Sequence, residues 1–532
     1  MTKNRKWIVL SLALISLIAF FIFAIPNSKG SENLAMVTMF EPDESAMYWI
    51  PKRMVAPQPN LVHTVYRFIA YGFYSYGWPQ FVPSAIVYKI LTWFGQGDNM
   101  PLVMLSWRQF ITVVPMIASL WVLVYLQDQF KTWRSVALFI FLLSVPAVVQ
   151  NGYWWHPDGL VMFYSSLVLY FLWKDQRKFG KHFFIAAALC GVLAALKVVG
   201  FFFFLAIAVA LIWGLAEKRL TLKQFFGKAF LFILVMAAGI LISSPHLLIP
   251  NHRELAFTVL KREIFETSQG YGIFYEKGLS AAWATIRTYY GEALFLLVTL
   301  AVSIWSLWDK ETRYLRALIL AWFIPLSVHL LFFSHFKFQY WLPVAIPVFS
   351  NLVFILPAKK LDWKTKGSTT LIKAGLLLVV VIQFGFFVAR DVKLFNNRVN
   401  RAENNDEINF YSKAVEELTP VDQDITVYHD YRLYLPDTEG WSVDTSFELL
   451  TYDYIRERDF DVLMLSHQRT RDYLKSSAVG IDPNTFPQNQ AFYTDADNEE
   501  IEGYQLLYRD PTALLFIKDD LCELYYSQDR CE

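Results

Sequence analysis

Residues 183–215 read FFIAAALCGVLAALKVVGFFFFLAIAVALIWGL, 33 residues with a single charged side chain, Lys197. As one α-helix this stretch would be about 50 Å long, far more than a hydrocarbon core of about 30 Å. Basic segments flank it on both sides, from Lys174 to Lys181 before it and from Lys218 to Lys228 after it. Basic flanks mark the cytoplasmic side of a membrane, so both ends belong on that side. The stretch is expected to be a hairpin of two spans, Phe183–Leu196 and Val198–Leu215, with Lys197 at the outer tip.

The rest of the chain agrees in composition. At 532 residues, with 55% hydrophobic and 17% aromatic side chains, it is too apolar for a soluble protein of this size. Nine further apolar runs, uncharged but for Lys373 in the last, read as spans: Trp7–Ile25, Phe110–Leu126, Val136–Val149, Leu160–Trp173, Ala229–Ile249, Ala293–Trp308, Ala317–Phe333, Tyr340–Pro357 and Leu371–Ala389. With the hairpin they make eleven. Lys3, Arg5 and Lys6 place the N-terminus in the cytoplasm, and a long apolar run with a poor small-residue cleavage site argues against a cleaved signal peptide. Loops 127–134, 174–181, 216–228, 309–316 and 358–370 are then cytoplasmic, and each is rich in Lys or Arg. The outer loop 150–159 has none and 334–339 has one.

Charge divides the chain in two. Residues 391–532 hold 13 Lys+Arg against 30 Asp+Glu, leaving 35 against 17 in residues 1–390. The expected architecture is a polytopic helical membrane module, 1–390, with outer loops 26–105 and 250–290, followed by an acidic extracytoplasmic α/β domain, 391–532. In that domain β-rich pieces (Ile425–His429, Asp461–Leu465, Gln505–Tyr508, Ala513–Lys518) alternate with helical ones (Glu407–Glu417, Phe447–Glu457, Arg469–Lys475). Cys522 and Cys531 lie nine positions apart there and can bond in an oxidising compartment.

This topology gathers the polar residues on the outer face: Asp43-Glu44, His156-Pro157-Asp158, Lys197, Pro245-His246 and His335-Phe336-Lys337. Adjacent carboxylates suit a divalent cation or proton abstraction from a hydroxyl. Each group also has a plainer reading. Pro157-Asp158 is what a helix N-terminus favours, and His335, Lys337 and Lys197 suit side chains reaching for the interface.

As an ordered series these features resemble the GT-C superfamily of membrane glycosyltransferases. The series comprises Pro42-Asp43-Glu44, the aromatic stretch Tyr71–Lys89, Arg108, His156-Pro157-Asp158, Lys197 between Gly191 and Gly200, and Lys337–Pro343. In organisation it is most similar to the lipid A aminoarabinose transferases, the protein O-mannosyltransferases and their bacterial relatives that use polyprenyl-phosphate sugars. Where the aminoarabinose members carry Glu-Lys-Pro-Pro, this chain has Gly77-Trp78-Pro79.

The resemblance implies a catalytic set of Asp43, Glu44 and Asp158, with Asp43 as the acid of the first outer loop. It implies a donor phosphate faced or supported by Arg108, Lys197, Lys337 and His335, and a possible divalent cation on Asp43 and Asp158. The implied partners are a polyprenyl-phosphate sugar, a lipid, glycan or protein acceptor and membrane lipids, with no nucleic acid, at the plasma (inner) membrane. No Gly-rich phosphate loop or Walker sequence is visible, as suits a lipid-borne donor. The rival classes are a flippase for lipid-linked saccharide, for which Lys197 and Arg108 would line a path, and a non-catalytic scaffold of the same fold.

Overall fold

The computed structural model describes residues 3–265, 269–270, 273–274, 276–357, 368–446, 449–475 and 485–531. It divides into two compact units. One comprises Met1–Ser28, Met47–Phe265 and Lys277–Arg398, and the other Lys29–Ala46, Glu266–Glu276 and Val399–Glu532.

In the first unit the apolar runs of the sequence lie mostly on helical backbone. The first is Lys3–Asn27. The second begins ten residues before its uncharged core, as a helix Met100–Asp128 with a π-helical turn at Arg108–Val113. The run Val136–Val149 breaks at Val145-Pro146 into helices Arg134–Leu143 and Pro146–Asn151, because proline removes a backbone donor and disfavours helix at the residue before it. Helix Asp158–Asp175 follows, then Lys181–Leu196. At Lys197 the backbone is extended (φ −161°, ψ 143°) before a 3-10 turn and helix Leu205–Ala216. The 33-residue run is thus two helical segments parted at its lysine. Leu222–Ser243, Ala293–Trp305, Arg313–Val328, Phe338–Ser350 and Ser368–Glu403 complete the set. By length and composition six helices among the described residues can cross a membrane, or seven if the bent pair Leu279–Tyr290 and Ala293–Trp308 is one span. Of the expected loops, 358–367 and parts of 266–275 lie outside the described residues.

Polar side chains lock this unit internally. Arg316, one of the basic residues of the 309–316 loop, is turned inward: its guanidinium donates to Gln127 and Asn351, and Asn351 in turn donates to the Ser303 hydroxyl at 3.0 Å. These bonds from one terminal nitrogen offset part of the cost of burying the guanidinium, whose Nε has no partner.

The second unit is built on a five-stranded sheet. Its strands are β1 (Ile425–Asp430), β2 (Trp441–Ser446), β3 (Val462–Ser466), β4 (Tyr504–Arg509) and β5 (Ala513–Lys518), in the order β2-β1-β3-β5-β4. β1 runs parallel to β2 and β3, whereas β5 is antiparallel to β3 and β4. Alternate residues enter two cores. Val427, Val462, Met464, Leu515 and Ile517 face helix Asp406–Leu418 through Phe410 and Ala414, while Tyr428, Leu463, Leu465, Leu514 and Phe516 face helix Phe486–Asp497 through Phe492 and Tyr493. The central strands are therefore apolar on both faces, as in a covered sheet. Cys522 and Cys531 are joined in a disulfide.

Residues 29–46 belong to this second unit, a feature absent from the sequence expectation. Helix Leu34–Phe40 is capped by Asn33, whose amide also donates to the Tyr434 hydroxyl at 3.0 Å. Met36, Met39 and Phe40 pack against Ala402, Ile408 and Tyr434, and the Arg401 guanidinium lies 5.0 Å from the Phe40 ring centre.

Candidate active site

Within the first unit the backbone brings Asp158, His156, Lys197, Tyr76 and Tyr340 together. Asp158 opens its helix behind Pro157, where a carboxylate meets the positive end of the helix dipole. The next residue must be glycine: a Cβ on Gly159 would lie 2.7 Å from the Thr112 carbonyl oxygen, so the helix start is pressed against the π-helical turn. Lys197 is set by the break after Leu196. Its backbone amide still donates to the Leu193 carbonyl at 3.1 Å, while Gly200 turns so tightly that a Cβ there would collide with that same carbonyl.

Asp158 is buried and both its oxygens are engaged. Lys197 Nζ donates to Oδ1 at 2.8 Å and His156 Nδ1 donates to Oδ2. The other ring nitrogen, Nε2, shares a hydrogen bond of 2.8 Å with the Tyr76 hydroxyl. The imidazole stacks on Trp154 at 4.2 Å with the planes 5° apart. The Asp158 carboxylate and the Lys197 ammonium match each other in charge, the condition under which ions survive burial.

The Lys197 ammonium also lies 4.6 Å from the Tyr340 ring centre, and the Lys337 ammonium lies 5.8 Å from it. Lys337 is the N-cap of helix Phe338–Ser350, and Tyr340 lies in that helix's first turn. His335 is buried beside Tyr340. Burial pushes its imidazole down to about 3, and the positive charges of Lys337 and Lys277 add to the effect. It is neutral at physiological pH. Arg108 is fully buried in the π-helical turn and donates to the Asn27 carbonyl at 2.9 Å, at the end of the first helix.

Asp43 and Glu44 lie in the second unit, in the first turn of the short helix Pro42–Met47. Asp43 is exposed and Glu44 fully buried. The residues around Asp158 do not suit a divalent cation, since a metal would have to displace Lys197 or His156 from the carboxylate. Among the described residues no group of three or more His, Cys, Asp or Glu side chains converges.

Sequence reasoning did not single out Tyr76, Trp154 or Tyr340. In a chain with 28 tyrosines and 18 tryptophans their type carries no signal.

No family model matches the sequence, and no curated protein matches it. Solved structures do. ArnT from Cupriavidus metallidurans bound to undecaprenyl phosphate superposes with a TM-score of 0.52 at 11% identity, covering 96% of this chain and 98% of that one. The apo state of the same protein gives 0.51 at 10%, covering 96% and 97%. The likeness covers nearly the whole of both chains, and this chain has the fold of ArnT.

Proposed function

We propose that this chain is an integral-membrane glycosyltransferase that moves a sugar from a polyprenyl-phosphate donor to an acceptor at the outer face of the membrane. The observation that carries the reading is the correspondence, over nearly the whole of both chains, with a structure that holds undecaprenyl phosphate. A lipid-linked donor keeps its tail in the bilayer and its phosphate at headgroup depth, where cations must balance it. Lys337 fills that role, with Tyr340 and His335 beside it. Lys197 has its charge matched by Asp158 and acts by holding the face of the Tyr340 ring in place. Arg108 supports the fold from within.

In the reaction the acceptor oxygen forms a bond to the anomeric carbon as the bond from that carbon to the phosphate oxygen breaks. The electron pair leaves with the polyprenyl phosphate, and the acceptor proton passes to a carboxylate. Asp43 is assigned that proton because it is accessible, whereas Glu44 is buried. General-base catalysis of this kind contributes about a hundred- to ten-thousandfold. No step is routed through a metal.

The test is transfer of labelled sugar from polyprenyl-phosphate donors by membranes containing the wild-type chain or Asp43→Asn at matched protein levels. Asp43→Asn is expected to insert normally and to lose at least a hundredfold in turnover, with Glu44→Gln losing less. Full turnover by Asp43→Asn removes the general base from the mechanism. Absence of transfer by the wild type from every polyprenyl-phosphate sugar tried, with flipping of lipid-linked saccharide instead, replaces the reading with the transporter.

A further inference from the structure

Helix Ser368–Glu403 begins with a stripe unlike the rest of its surface. Thr370, Lys373, Ala374, Leu377, Leu378 and Val381 recur at intervals of three and four, so they share one face, polar in its first turn and apolar below. This face lines a cavity of about 430 Å³, a volume in the range of small-molecule sites. The far wall is the segment Ile355–Pro357 together with Arg134, the first residue of helix Arg134–Leu143. Lys373 and Arg134 thus enter one cavity from two helices.

Among the described residues neither cation makes an ion pair with a carboxylate. Lys373 Nζ lies 4.3 Å from the Phe354 ring centre and makes a long contact, 3.4 Å, with the Phe354 carbonyl. Asp128 is near enough for Arg134 to feel its charge, but its Oδ2 is taken by the Thr132 amide and by the hydroxyls of Thr132 and Ser135 at 2.7–2.9 Å. The Arg134 Nε is buried without a hydrogen-bond partner. Two cations facing one cavity at the end of a span are costly unless an anion joins them. Below them Leu378 and Val381 are 60% and 57% exposed, so the apolar part of the stripe opens sideways to lipid. From Thr370 to Val381 the helix rises about 16 Å, half of a hydrocarbon core of about 30 Å, which is the depth of one leaflet.

We propose that this cavity is a binding site for an anionic diacyl phospholipid, whose phosphate lies between Arg134 and Lys373 and whose acyl chain lies along Leu377, Leu378 and Val381. Thr370 donates to the headgroup. Basic pockets between membrane helices take anionic headgroups for this reason. The site shares no residue with the cluster around Asp158, and the proposal stands apart from the glycosyl-transfer reading.

The test is native mass spectrometry of the full chain in detergent, titrated with phosphatidylglycerol, with phosphatidylcholine of the same chains, and with inorganic phosphate. The first phosphatidylglycerol is expected to bind at least tenfold more tightly than phosphatidylcholine and to resist competition by millimolar phosphate. Arg134→Gln with Lys373→Gln should bring the two lipids to equal affinity. Leu378→Trp, which fills the apolar strip and keeps both cations, should weaken phosphatidylglycerol at least tenfold on its own, and it decides the matter if the double variant fails to fold. Equal affinity for the two lipids in the wild type overturns the proposal, as does an unchanged preference in the double variant. Displacement of the lipid by inorganic phosphate, or full phosphatidylglycerol binding by Leu378→Trp, overturns it too, because the site is then one for small anions alone.

Discussion

Removing the charge of Asp158 tests whether the buried cluster is a matched ion pair. Asp158→Asn keeps the size of the side chain and one acceptor oxygen but leaves the Lys197 ammonium buried, with the Tyr340 ring as its remaining neighbour in the cluster. Losing one partner of a buried pair costs about 3–5 kcal/mol, of which the charge-assisted hydrogen bond at 2.8 Å accounts for about 1.5–3 kcal/mol. Lys197→Met leaves the carboxylate with His156 alone and should cost about as much. The double variant removes both charges, so its loss should fall short of the sum of the single losses by about 2 kcal/mol or more. The measurement is reversible unfolding of the four proteins in mixed micelles titrated with denaturing detergent. Losses that add to within about 0.5 kcal/mol would refute the pairing, since sites without shared partners behave in that way.

Three further expectations follow from the same geometry. Lys337→Ala should raise the KM for the polyprenyl-phosphate donor about ten- to a hundredfold with protein levels unchanged, the loss of one charge-assisted contact to a phosphate; an unaltered KM would make the lysine an interface anchor. Cys522→Ser should leave Cys531 reactive to maleimide and destabilise the second unit by at most about 3 kcal/mol, whereas labelling of both thiols in the non-reduced wild type would deny the bond. Burial holds the His429 imidazole down at about 4, below its unfolded value of about 6.5, so the unfolded chain binds the extra proton as pH falls. Stability from this group is complete above about pH 6.5 and is lost toward pH 4, by about 2 kcal/mol at pH 5. Hydrogen exchange of the β1 amides at pH 7 and pH 5 checks this, and His429→Gln should remove the difference.

Apolar runs and the lone Lys197 in a run too long to cross are local signals, and the apolar helices of the first unit were legible from them; the break at Val145-Pro146, inside a run read as one span, was not. Four of the five strands were legible for the same reason, being short β-branched or apolar pieces between turns. The fifth, β2 (Trp441–Ser446), is an edge strand with polar alternate residues, and its existence depends on the parallel neighbour β1. Helix Phe486–Asp497 is rich in Gln, Asn and Asp and is held by burying Phe492, Tyr493 and Ala496 rather than by propensity. The boundary expected at residue 390 falls inside the helix Ser368–Glu403, because a charge count detects where acidity begins and not where a helix ends. At the candidate site the chemical types were readable and the partners were not. Nothing in the spacing of residues 39 positions apart announces that Lys197 matches Asp158, or that a tyrosine 80 positions before His156 fills its second nitrogen.

The anchoring of residues 29–46 in the second unit sets an order of events during synthesis. Asn33 and Tyr434, which hydrogen-bond to each other, are separated by 401 residues. At a translation rate of about 5–20 residues per second, Asn33 leaves the ribosome roughly 20–80 seconds before Tyr434 does. For that interval the segment carrying Asp43 and Glu44 has the apolar face of Met36, Met39 and Phe40 without the side chains that cover it. Nascent chains halted before residue 434 should therefore expose this segment to proteases and chaperones. A truncation that spares every membrane helix would still leave the acidic pair without its native support.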